Sequence, residues 1–78
     1  MPEITLDDKD IRILLGVHRR ETLSEMAAAT LSQVSKVQYR VDRLVTNGLV
    51  KKPKERKARS ITLTPAGAEY LRRFNINV

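Results

Sequence analysis

Residues 32–59 read SQVSKVQYRVDRLVTNGLVKKPKERKAR. Val34, Val37, Val41, Leu44 and Val45 recur at the intervals that put side chains on one face of a helix. At about 100° per residue, the opposite face carries Ser32, Ser35, Lys36, Tyr39 and Arg43, flanked by Gln38, Arg40 and Asp42. The spacing predicts a helix over about 33–46, apolar inside and polar-cationic outside. Ser32 is preferred to Ser35 as its N-cap. Asn47-Gly48 ends it with a residue that tolerates positive φ just past the last turn.

Two short strands follow, at about 49–53 and 60–64, the second alternating so that Ile61 and Leu63 point inward. The residues between them, 54–59, hold Lys54, Arg56, Lys57 and Arg59, which makes a hairpin with a basic tip. Pro53 suits an edge position because it has no N–H to donate to a neighbouring strand. Thr64-Pro65 then caps and starts a helix over about 65–74, with Gly67, Tyr70, Leu71 and Phe74 on its inner side.

Upstream, a first helix is expected from about residue 7 to 18 or 19, capped by the acidic stretch at Asp7-Asp8. Ile11, Leu14, Leu15 and His18 form its apolar stripe, and Ile13 and Val17 widen that stripe, so the helix is either central to the core or offers a second face to a partner chain. Thr22-Leu23-Ser24-Glu25 has capping-box spacing and opens a short second helix through about Thr30, with Leu23, Met26, Ala27 and Leu31 inward. The order is therefore helix, helix, helix, strand, basic loop, strand, helix.

The chain has 78 residues, no cysteine and one histidine, so no disulfide or thiolate metal site braces it, and packing must stabilise one small domain. No apolar run approaches the roughly 18–20 residues of a membrane span, and the acidic start is unlike a targeting peptide. A cytoplasmic protein is expected. The net charge of +6 is unevenly distributed: residues 1–31 carry net −2, residues 32–60 net +7, and residues 61–78 net +1. Concentration of the excess in one segment is the footprint of a polyanion-binding surface, the alternative being a solvated basic face. No residues are spaced as a catalytic triad or a phosphate-cradling loop, so neither an enzyme nor a cofactor is expected.

The segment 41–71 resembles the MarR-like winged helix family of transcriptional regulators. The resemblance rests on Asp42-Arg43-Leu44, Asn47-Gly48-Leu49-Val50, the basic run at 54–59, and Leu63-Thr64-Pro65-Ala66-Gly67. Ile13-Leu14 with Val17, and Thr22-Leu23-Ser24-Glu25-Met26-Ala27, extend it over nearly the whole chain. The turn before the third helix reads Thr30-Leu31-Ser32 where the family often has glycine. Longer members carry extra helices that form a dimer and a ligand pocket; this chain has no room for them, so no small-molecule effector is implied.

The resemblance implies an α+β, mostly helical winged helix-turn-helix: a three-helix core, a two-stranded wing over about 49–64, and a C-terminal helix. The third helix would lie in the major groove of double-stranded DNA and the wing on the minor groove or backbone. Lys36 and Arg40 would reach guanine acceptors, Gln38 adenine, and Tyr39 a thymine methyl or a phosphate. Ser32 and Ser35 would bind phosphate; Arg43 would bind backbone or pair with Asp42. Arg56 and Arg59 would enter a narrow minor groove, with Lys52, Lys54 and Lys57 completing the set. The implied function is sequence-specific repression; for a homodimer, the candidate contact residues in this sequence are Ile13, Val17, Phe74, Ile76 and Val78. Two rivals are a protein-interaction winged helix and a non-specific architectural DNA binder.

Overall fold

The computed structural model describes residues 6–52 and 61–76. In chain order they form α1 (Asp8–His18), α2 (Leu23–Ala29), α3 (Val34–Thr46), β1 (Val50–Lys51), β2 (Thr62–Leu63) and α4 (Pro65–Arg72). The fold of the described residues is α+β and mostly helical, with four helices and one antiparallel sheet in which Val50 pairs with Leu63 and Lys51 with Thr62.

Local chemistry sets most of the helix starts. The Asp7 carboxylate accepts from Asp10 N at 2.9 Å while Asp7 N donates to the Asp10 carboxylate at 3.4 Å, a reciprocal cap on α1. Thr22 and Glu25 exchange the corresponding bonds at 2.9 and 3.1 Å at the start of α2. Thr64 Oγ1 accepts from Gly67 N at 3.1 Å and donates to the Gly48 carbonyl at 2.6 Å. That side chain thus caps α4 and also fastens it to the turn after α3.

The helix ends share one geometry. After α1, α2 and α3, an N–H two residues past the cap bonds back across the last turn: Glu21 to the Gly16 carbonyl at 2.9 Å, Ser32 to Ala27 at 2.9 Å, and Leu49 to Leu44 at 3.0 Å. Ile76 makes the same bond to Leu71 at 3.3 Å after α4. Each closure requires a left-handed residue just before the donor. Those residues are Arg20 (φ 59°), Leu31 (φ 53°), Gly48 (φ 76°) and Asn75 (φ 61°). Glycine and asparagine adopt this backbone readily, whereas a leucine there costs roughly 1 kcal/mol.

The core joins Ile13, Leu14 and Val17 of α1 to Met26 and Ala27 of α2, and to Val37, Val41 and Leu44 of α3. Leu6, Leu49, Val50, Ile61 and Leu71 close it below the sheet and α4. α1 is central, packing on α2, α3, α4 and β2. Gly67 is required where α4 crosses the chain after α3, since a Cβ there would collide with the Leu49 carbonyl oxygen.

Several expectations change. The inner stripe of α1 is Asp10, Ile13, Leu14 and Val17; Ile11 and Leu15 are half-buried and His18 is exposed. The apolar surface of α1 is wide because four elements cover it. Ile13 and Val17 are therefore core residues, unavailable to a partner chain. Leu31, expected on the inner face of α2, is 92% exposed because the left-handed turn carries its side chain outward, and Thr30 is buried in its place. Phe74 is 49% exposed, its ring tilted against Tyr70 at 5.4 Å, because α4 stops at Arg72. Among the described residues, no helix is long and apolar enough to cross a membrane.

Candidate nucleic-acid interface

α3 turns Val37, Val41 and Leu44 into the core, and that anchoring fixes what it presents outside. Ser35, Lys36, Gln38, Tyr39, Asp42 and Arg43 are all exposed, Tyr39 at 66%. Thirteen residues at 1.5 Å each make a surface about 20 Å long. Lys36 and Arg43 have no ion-pair partner among the described residues, so both cations are free to meet an anion. Arg43 does not pair with Asp42. Its backbone carbonyl instead accepts from Asn47 Nδ2 at 2.8 Å, bracing the end of α3.

Arg40 is placed differently from the sequence expectation. Its Nη1 lies 2.9 and 3.0 Å from the two carboxylate oxygens of Asp7 and 2.9 Å from Asp10 Oδ1. Asp10 is only 3% exposed, which makes Arg40 the counter-charge of a buried carboxylate. The Asp7 carboxyl is held below its ordinary pKa, chiefly because it accepts the Asp10 backbone N–H; Arg40 adds to this and desolvation opposes it. The Arg40 guanidinium is pushed above its ordinary value by the hydrogen bonds to Asp10 and then to Asp7. An arginine held by the carboxylates of Asp7 and Asp10 ties α3 to the start of α1.

Ser32 is not the N-cap of α3. Its hydroxyl donates to the Thr30 carbonyl at 3.2 Å and its N–H closes the turn, leaving Gln33 at the cap with no side-chain cap bond. Ser35, the other candidate start, is the second residue of the helix. The helix starts between the two serines because the left-handed turn at Leu31 uses up Ser32.

At the far end, Lys52 Nζ reaches Asp42 Oδ1 at 3.3 Å. Both groups are exposed, and such a pair contributes little stability. Its consequence is geometric: Lys52, just past β1, adjoins the outer face of α3. Lys54, Arg56, Lys57 and Arg59 lie outside the described residues.

Sequence reasoning overlooked three participants. Asp10 stands three residues after Asp7, a capping-box spacing that would have identified the pair. Asp42 stands in the sequence as a flanking acid and a candidate partner of Arg43, whereas its partner Lys52 lies ten residues away across a turn. Leu31 was assigned inward because it continued the apolar spacing of α2. Comparison of the chain with models of known protein families, with characterised proteins and with solved structures finds no match.

Proposed function

We propose that the chain is a winged helix-turn-helix domain that binds double-stranded DNA sequence-specifically, with α3 as the recognition helix and residues 54–59 as the tip of a basic wing. The observation that carries this reading is the outer face of α3. A rigid helix anchored by three core residues exposes Ser35, Lys36, Gln38, Tyr39 and Arg43 together. That is a mixed set of cation, amide, hydroxyl and ring of the kind that meets the donor and acceptor pattern of a major groove about 12 Å wide. The net charge of +7 over residues 32–60 supplies the attraction to phosphate, and the Asp42–Lys52 contact, just past β1, supports a basic wing beside the helix.

In this reading Ser35, Lys36, Gln38, Tyr39 and Arg43 face the DNA. Arg40 and Ser32 act within the protein. Lys52 stands at the junction, and Lys54, Arg56, Lys57 and Arg59 contact the minor groove or backbone. Regulation follows from occupancy of an operator, in the sense of repression. The rival reading as a protein-interaction module drew on the wide apolar face of α1, and burial of Ile13 and Val17 removes that support.

Selection of bound sequences from a random duplex library at about 0.15 M ionic strength tests the proposal. Enrichment of one motif is expected. Retention without enrichment would indicate a non-specific binder, and no retention would reject DNA as the partner.

A further inference from the structure

We infer that Leu31, on the turn before α3, is a specificity-determining residue that reads the methyl group of a thymine; the inference rests on the DNA-facing reading of α3. Two unfavourable features coincide at this residue. Its backbone is left-handed at φ 53°, a conformation leucine resists, and its side chain is 92% exposed, so no core contact offsets the strain. Thr30 and Ser32 on either side are both tied into the turn, by hydrogen bonds to Met26 O at 2.8 Å and Thr30 O at 3.2 Å. The turn therefore projects Leu31 from a fixed platform three residues before the first residue of α3. Val34, that first residue, is also 39% exposed. Strain held at an exposed position next to a binding element points to a function for the side chain rather than to packing.

The surroundings select the occupant. The first two turns of α3, which follow Leu31 in the chain, expose Ser35, Lys36, Gln38 and Tyr39, all polar or cationic at their tips. An apolar protein surface docking on Leu31 would have to strip water from these groups. A major groove gives them phosphates and base acceptors, and it contains one apolar group, the C5-methyl of thymine. The N-terminal end of a recognition helix is the part that enters the groove most deeply in helix-turn-helix docking, and Leu31 lies at that end.

The test uses the full chain and the best duplex from the library selection. Each thymine in turn is replaced by deoxyuridine, which removes the methyl and leaves every hydrogen-bonding group. Binding is read by fluorescence anisotropy for the natural chain, Leu31→Ala and Leu31→Asn. For the natural chain, at least one replacement is expected to weaken binding about fourfold, the effect of losing one buried methyl. Both variants should bind the thymine and uracil duplexes equally, at the level of the natural chain on uracil. Leu31→Asn should also unfold at a higher temperature than the natural chain, because asparagine accepts the left-handed backbone; lost discrimination then cannot be attributed to lost folding. Two results would overturn the inference while leaving the DNA-binding reading intact: a natural chain indifferent to every uracil on a duplex it selects, or variants that keep the full thymine preference. The second would also fit a Leu31 that serves a protein partner. Failure to select any duplex would remove both readings together.

Discussion

Lys36 and Arg40 carry the same charge one turn apart on α3, and their surroundings give them opposite tasks. Lys36 is exposed and unpaired among the described residues, whereas Arg40 neutralises Asp10 inside the fold. Lys36→Ala should reduce affinity for the selected duplex by about 1–3 kcal/mol and relax preference at the contacted base pair. Arg40→Ala should instead destabilise the fold by about 2–3 kcal/mol, because it strands a carboxylate that is 3% exposed. Urea denaturation of the two variants beside their duplex titrations separates the effects. An Arg40→Ala protein that folds normally but loses base preference would restore the groove-facing assignment. The sequence could not distinguish these cations, since helical periodicity places both near the outer face and the carboxylates that claim Arg40 lie some thirty residues upstream.

The elements were most legible where a cap is written into neighbouring residues. Thr22 with Glu25, Thr64-Pro65 with Gly67, and Asn47-Gly48 all act as their spacing implies, because those bonds are local. The turns at Arg20 and Leu31 were not legible, since neither residue is the glycine or asparagine that announces a left-handed helix closure. The inner face of α1 was legible only in part, at Leu14 and the widening pair Ile13 and Val17, because a helix enclosed on several sides has no single stripe. Gly67→Ala gains about 1 kcal/mol of helix propensity but must push apart two backbones, at a cost near 3 kcal/mol, so the thermal midpoint should fall. The cap of α1 should respond to acid. Asp7 binds its proton less readily when folded, so its stabilisation is present above the ordinary carboxyl value near 3.9 and is lost as pH falls through the lower folded value. Asp7→Asn keeps a capping oxygen but loses the charge. Its stability should therefore change less than that of the natural chain between about pH 5 and pH 3, as measured by urea melts at each pH.

At the scale of the whole molecule, the charge partition was readable from composition alone, and it sets the expected salt response. Neutralising about five phosphates per subunit gives a log–log slope of affinity against salt of about −4 to −5. Arg40→Ala should leave that slope unchanged, whereas loss of a phosphate-binding cation should lower it by about one. The proposed dimer surface narrows to Phe74 and Ile76, exposed and half-buried, with Val78 outside the described residues. Sedimentation at high micromolar concentration should show a dimer that Phe74→Glu dissociates, and a natural chain that stays monomeric would remove the dimer from the account. The central claim is that α3 reads sequence, and one titration addresses it most directly: the chain against its selected duplex and a shuffled duplex of the same composition, at about 0.15 M ionic strength. The account predicts a preference for the selected duplex on the order of 10³-fold; equal affinities would contradict it.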